Sequence, residues 1–255
     1  MSRSSRLIDI LQLFENGHSV WTVDDISQEL GISVSTAYRH LRVLVNSGFL
    51  DPVAGAGYAL GPAFIRYDWL LRQGDPLIQI ADPVMDTLLE NTNKTGTIAL
   101  CRRFKDCVMC VHERRGANAT GHISYQRGVA MPMFLGATSK VILAHLPDRT
   151  LKGVYLANEE TIRKVLRTAN WGEFRSQLRE IRRAGFALTE SEVAKGRIGL
   201  AAPIAQNSHV VAGISLIVDA NDWDIKNVTN AISHVVGAAE RISTALSDAE
   251  SIISR

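Results

Sequence analysis

The sequence predicts a two-domain protein of the α+β class, with a small, mainly helical unit carrying a β hairpin ahead of a larger unit built on an antiparallel sheet. Three observations carry that expectation. The 255 residues exceed what one hydrophobic core usually organises. Apolar residues recur at helical spacing along the first segment and stop at glycines (Gly17, Gly31, Gly48). In the second half, runs rich in β-branched residues are separated by short polar turns.

Composition narrows the class further. With 46% hydrophobic and 21% charged residues the chain is neither disordered nor fibrous. Its apolar runs are short, Val210 to Ile217 being broken by Gly213 and Ser215, far from the roughly 20 residues of a membrane span. The residues after Arg3 and Arg6 lack the apolar core of a signal peptide, so a cytoplasmic protein without a membrane partner is expected. An odd number of cysteines, Cys101, Cys107 and Cys110, fits reduced thiols better than disulfides.

Each element of the first unit has its own signal. Ser4 and Ser5 are placed to cap a helix carrying Leu7, Ile10, Leu11 and Phe14, which ends at Asn16-Gly17. Thr22 and Asp25 form a near capping box for a short helix with Val23, Ile26 and Leu30 inward. After Gly31, Ser33 caps a third helix with Ala37, Leu41, Leu44 and Val45 inward. Its other face presents Ser33, Val34, Ser35, Thr36, Tyr38, Arg39 and Arg42. Up to Asp75 the unit is slightly acidic, yet no acidic residue falls between Gly31 and Gly48, where Arg39, His40 and Arg42 make a local basic face.

A short helix, a glycine turn and a second helix with hydroxyls and arginines outward is the helix-turn-helix pattern. Small polar residues let the helix start approach base edges in a major groove about 12 Å wide, and arginines reach guanine edges or phosphates. Phe49 and Leu50, a turn at Asp51-Pro52 and Gly55-Ala56-Gly57, then Tyr58 and Leu60 read as a wing hairpin. Residues 1–60 are thus a winged helix-turn-helix expected to bind double-stranded DNA. Residues 61–75, with Phe64, Ile65, Trp69 and Leu70 before Gly74-Asp75-Pro76, are expected to form a linker helix whose apolar side packs on a second subunit or on the wing.

Residues 76–255 form the second unit. A helix over Leu77 to Asn91 is followed by strands at Thr97 to Arg102, Cys107 to His112, Ile198 to Ile204 and Val210 to Val218. Lys105-Asp106 and Gln206 to Ser208 are the hairpin turns; helices are expected around Thr138 to Leu146, Glu159 to Arg167, Trp171 to Ala184 and from about Ile225 to Ile252. Cys107-x-x-Cys110-x-His112 offers metal-ligand residue types. Strand alternation, however, points Cys107 away from Cys110 and His112, leaving too few ligands on one face, so no metal is expected. Motifs of nucleophilic or metal-dependent catalysis and of phosphate binding are missing, so neither an enzyme nor a cofactor is expected. A ligand-sensing enzyme whose first unit is only an interaction module stands as the alternative, with an architectural DNA binder as a third reading.

Several segments resemble the IclR family of transcriptional regulators. Arg6-Leu7-Ile8-Asp9-Ile10-Leu11, Leu30-Gly31-Ile32-Ser33, Ser35-Thr36-Ala37-Tyr38-Arg39 and Tyr58-Ala59-Leu60-Gly61 are similar to its DNA-binding domain. Met131-Pro132-Met133, Gly136-Ala137-Thr138-Ser139-Lys140, Ala184-Gly185-Phe186-Ala187 and Lys195-Gly196-Arg197-Ile198-Gly199-Leu200-Ala201-Ala202-Pro203-Ile204 are similar to its effector domain.

The resemblance implies a homodimer or dimer of dimers on a palindromic operator, with a small organic acid in a GAF-like pocket near Met133, Phe134, Ala137, Thr138, Ser139, Gly199, Ser215 and Ile217. Backbone amides at Ala137, Thr138 and Ser139 are implied to receive the carboxylate, with Ser215 adding a hydroxyl. This chain departs from the family at Phe134-Leu135, where many relatives have His-Ala, at Gly199, where some have cysteine, and at Ile217, where some have serine. Those changes imply a larger, less polar pocket suited to an aromatic carboxylate. Ser27 replaces the usual alanine of the second helix.

Overall fold

The computed structural model describes residues 3–55, 57–92, 94–119, 126–168, 170–223 and 228–253. It divides into two compact units at Asp75/Pro76. In the first, α1 (Arg3–Leu13) begins before Ser4 and Ser5, so these lie inside the helix and not at its cap. The chain leaves through Gly17 at φ 85° and enters β1 (Trp21–Thr22), a strand the sequence did not announce. The Thr22 hydroxyl accepts from the Asp25 N–H while the Asp25 carboxylate accepts from the Thr22 N–H. This complete capping box starts α2 (Val23–Leu30).

Gly31 turns the chain at φ 59°, and Ser33 caps α3 (Val34–Asn46) by accepting from the Thr36 N–H. Ser27, the departure from alanine, donates its hydroxyl to the Ile32 carbonyl at 2.6 Å and so pins the turn between the two helices. Ile10, Leu13, Val23, Ile26, Ala37, Leu41, Leu44 and Leu50 form the core. Each large member stabilises the unit by about 1.5–3 kcal/mol through burial.

The wing pairs β2 (Leu50–Val53) with β3 (Gly57–Leu60), and β3 also pairs with β1. Ala56 of the expected wing tip lies outside the described residues. Gly61 has to be glycine, because a Cβ there would stand 2.3 Å from the Gly48 carbonyl oxygen as the wing returns past the end of α3. In α4 (Ala63–Gly74), the rings of Phe64 and Tyr67 pack 5.4 and 5.6 Å from Phe49, so the helix expected as a linker counts with the first unit.

In the second unit, described residues form a six-stranded antiparallel sheet in the order β6-β5-β4-β9-β8-β7. Its strands are β4 (Thr97–Phe104), β5 (Cys107–Arg115), β6 (Ala130–Pro132), β7 (Ala187–Glu190), β8 (Arg197–Gln206) and β9 (His209–Asp219). The β8–β9 hairpin turns on Asn207 and Ser208, both at positive φ, as a two-residue turn matched to strand twist requires. Against one face pack α5 (Pro76–Asn91) and α10 (Val228–Ile253); the expected start of the last helix at Ile225 lies outside the described residues. The other face carries α6 (Ala137–Leu143), α7 (Asp148–Ala157), α8 (Glu159–Leu166) and α9 (Trp171–Ala184).

β6, β7 and α7 were not expected from the sequence, and one side-chain assignment on β5 is corrected. Cys101 pairs with Cys110 but Leu100 pairs with His112, a register shift that inserts an extra residue. The extra residue inverts the alternation. Cys110 joins Cys101 and Val108 in the cluster under α6, whereas His112 reaches the opposite side and hydrogen-bonds Asp82 of α5 at 2.6 Å. Cys110 and His112 therefore do not share a face. Burial, first, and the neighbouring Cys110 push the Cys101 thiol well above its ordinary pKa, which keeps it a thiol.

Candidate functional site

Two places concentrate polar chemistry. The first is the outer face of α3, where Val34 is 42% and Tyr38 is 52% exposed beside the exposed Arg39 and Arg42. Ser33, Ser35 and Thr36 form a hydroxyl cluster at the helix start, with Ser33 donating to Thr36 at 2.9 Å and lying 3.2 Å from Ser35. The predicted face is assembled as one surface, with one exception. His40 is buried, one turn beyond Ala37 on the inward side, and does not belong to the basic face.

The second place is a cavity of about 30 Å³ between α6 and the sheet. Its floor is a cross-strand row in which Gly199 of β8 pairs with Thr189 of β7 and Ile217 of β9. Ala137 and Thr138 of α6, with Gly136 before it, form one wall. Glu192, Val193 and Ala194, from the connection between β7 and β8, form the opposite wall, and Arg197 also lines the cavity.

Of the eight residues expected around a pocket, Ala137, Thr138, Gly199 and Ile217 line it. Met133 and Phe134 are buried in the apolar cluster beneath α6 instead. Ser139 is fully buried, and the buried Ser215 hydroxyl is turned to the Ala99 carbonyl oxygen at 3.4 Å. Nor is the cavity roomy. The β7–β8 connection borders the space that small side chains at Gly199 and Ala137 leave open.

Sequence reasoning missed Glu192 and Thr189, because nothing local marks them. The Glu192 carboxylate accepts from Lys140 Nζ at 2.5 Å and from the Gly136 N–H at 3.1 Å, across 52 and 56 residues of chain. Both side chains are largely sequestered, Lys140 at 12% and Glu192 at 22% exposure. Arg197 stands 3.7 Å from Asp219 across the β8–β9 pair. The described residues hold no group of three or more His, Cys, Asp or Glu arranged for a metal ion, and no helix among them is long and apolar enough to cross a membrane.

Comparison with known proteins bears on both places. Residues 5–53 match the model of the IclR helix-turn-helix domain, and residues 72–244 match that of the bacterial transcriptional regulator IclR C-terminal domain. The chain belongs to the IclR family. As an IclR-family protein it is a transcriptional regulator with a helix-turn-helix DNA-binding domain and a C-terminal effector domain. It is 25% identical over 244 residues to the HTH-type transcriptional regulator XynR of Escherichia coli, spanning 94% of this chain and 95% of the relative. It is 22% identical to the transcriptional repressor IclR of the same organism, spanning 94% and 88%.

These relatives are regulators by name, in keeping with the family models. Solved structures share the fold. An IclR transcriptional regulator from Silicibacter sp. TM1040 superposes with a TM-score of 0.78 at 18% identity, covering 96% of each chain. An IclR homolog from Microbacterium hydrocarbonoxydans, complexed with 4-hydroxybenzoate, gives 0.73 at 20% identity, covering 96% of this chain and 99% of that one.

Proposed function

We propose that this regulator binds a palindromic operator as a homodimer or dimer of dimers, and that a small organic acid bound beside Thr138 modulates the binding. Ser33, Val34, Ser35, Thr36, Tyr38, Arg39 and Arg42 are the operator-contacting set, Arg39 and Arg42 supplying the charge. The observation that carries the effector half is the cavity itself, in which the Thr189–Gly199–Ile217 row faces Ala137 and Thr138. Its mostly apolar floor suits an aromatic monocarboxylate such as a hydroxybenzoate, and the Microbacterium neighbour holding 4-hydroxybenzoate supports that choice. An aromatic ring requires the cavity to widen.

Dimer formation is supported by α4. None of its residues is buried, and Ile65, Trp69 and Leu71 are 75%, 59% and 62% exposed. Ile65 and Trp69, one turn apart on the same side of the helix, make an exposed apolar patch of the kind that marks an association surface, and two half-sites about one DNA turn apart need two copies of α3. The acid shifts the population of the DNA-competent arrangement by its differential affinity for the two arrangements.

The deciding experiment is binding to the DNA flanking the protein's own gene, with and without pyruvate, glyoxylate, benzoate and 4-hydroxybenzoate. Salt-sensitive, sequence-selective binding changed by one acid is the expected result. Tight pyruvate or glyoxylate binding with no response to either aromatic acid would remove the aromatic class. Acid binding without any DNA binding would remove the operator reading.

A further inference from the structure

The cavity already contains a carboxylate, that of Glu192. Every wall but one is helix or strand. The exception is the β7–β8 connection bearing Glu192, Val193 and Ala194. At about 30 Å³ the cavity has room for little more than water, so an organic acid fits only when that connection moves. What ties it to the opposite wall is Glu192, through Lys140 Nζ at 2.5 Å and the Gly136 N–H at 3.1 Å.

We propose that Lys140 Nζ, with the Gly136 N–H, is the binding site for the effector's carboxylate, and that Glu192 occupies it in the closed chain as an internal competitor. The inference rests on the acid-effector reading above. The reason is electrostatic. Lys140 is 12% exposed, and a sequestered ammonium stripped of its partner loses its compensation without regaining full hydration. Releasing Glu192 therefore requires another anion to take its place. An incoming carboxylate restores the ion pair, and the displaced Glu192 carboxylate goes to solvent with its connection. A neutral amide or alcohol of the same shape leaves Lys140 uncompensated and is rejected.

Exchange of one carboxylate for another thus couples acid binding to movement of the connection. The tail of the acid takes the space left by Val193 and Ala194, over Gly199 and Ile217. Because Glu192 is tethered beside its site, free acid competes against a high effective concentration. The apparent affinity is the intrinsic affinity multiplied by the fraction of chains that are unlatched.

The test is isothermal titration of pyruvate, glyoxylate, benzoate, 4-hydroxybenzoate and the neutral 4-hydroxybenzamide into the full chain, as wild type, Glu192→Gln and Lys140→Gln. The tightest acid is expected to bind Glu192→Gln about ten-fold or more tightly than wild type. Lys140→Gln is expected to bind no acid, and 4-hydroxybenzamide to bind none of the three proteins. Equal or weaker acid binding by Glu192→Gln overturns the competitor role while leaving the acid-effector reading intact. Failure of every acid to bind any of the three proteins overturns both. If circular dichroism shows Glu192→Gln to be unfolded, Glu192→Asp replaces it: its shortened carboxylate weakens the latch, so tighter acid binding supports the proposal and unchanged binding overturns it.

Discussion

Gly199→Ala separates what the cavity does for folding from what it does for ligand binding, because the two effects have opposite signs. Gly199 sits in the middle of β8 without a positive φ, so alanine fits its backbone. A Cβ there would lie 3.6 Å from Ala137 Cβ, an ordinary contact, and 3.3 Å from Thr189 Oγ1, which has only to yield by a few tenths of an ångström. Removing a glycine from a strand interior is expected to stabilise the fold by about 0.5–1 kcal/mol, or roughly 1–4 °C in Tm for a domain of this size.

The same methyl group projects from the floor of the cavity, which holds only about 30 Å³. An acid seated against it must push out a wall, an overpacking cost of about 1–3 kcal/mol, which weakens binding roughly 5- to 150-fold. Gly213→Ala is the control. Its Cβ would meet Thr138 Cγ2 at 3.1 Å and Val141 Cγ2 at 3.3 Å where α6 presses on β9, so it is expected to destabilise by about 1–3 kcal/mol. Thermal melts and titration with 4-hydroxybenzoate read both quantities. A Gly199→Ala protein that is as stable as wild type or more so, and binds acid with unchanged affinity, would refute the assignment of this cavity to the effector.

Three further outcomes are expected. Arg39→Ala, at an exposed position of α3, should leave thermal stability unchanged and weaken specific operator binding by about 1–3 kcal/mol in a mobility-shift titration. Leu41→Ala, at a fully buried position, should destabilise the first unit by about 2–5 kcal/mol in chemical denaturation and abolish DNA binding at every salt concentration. For Asp82, burial pushes the carboxyl up, but hydrogen bonds from His112 and Arg114 outweigh it and hold the group below the ordinary carboxylate value. A depressed acid contributes stability that is present above its unfolded pKa, about 4, and is lost as pH falls through the folded value. Denaturation midpoints should therefore drop more steeply below about pH 4 for wild type than for Asp82→Asn.

The first unit was largely legible because its signals are local. The Thr22–Asp25 box, Gly31, the Ser33 cap and the inward positions Ala37, Leu41 and Leu44 all act within a turn or two of helix. What was misread there is also local, and slight. His40 is a basic residue by composition but an inward one by helical phase. In the second unit the long strands and their two-residue turns were legible from alternation and turn residues. β6 and β7 were not, since three or four residues leave no periodicity to read.

By itself, then, the sequence determined the α+β class, the two-unit organisation, the helix-turn-helix and its outward Arg39 and Arg42, because each follows from spacing along a single element. Only the tertiary structure decided which side His112 takes, since one extra residue in a strand reverses every side chain beyond it. It also decided the content of the cavity. Gly136, Thr189, Glu192 and Gly199 come to line it, with Lys140 paired to Glu192, through sheet register and the packing of α6 over β8 and β9. No spacing along the chain encodes a carboxylate meeting an ammonium 52 residues away, because that contact exists only once the sheet has formed.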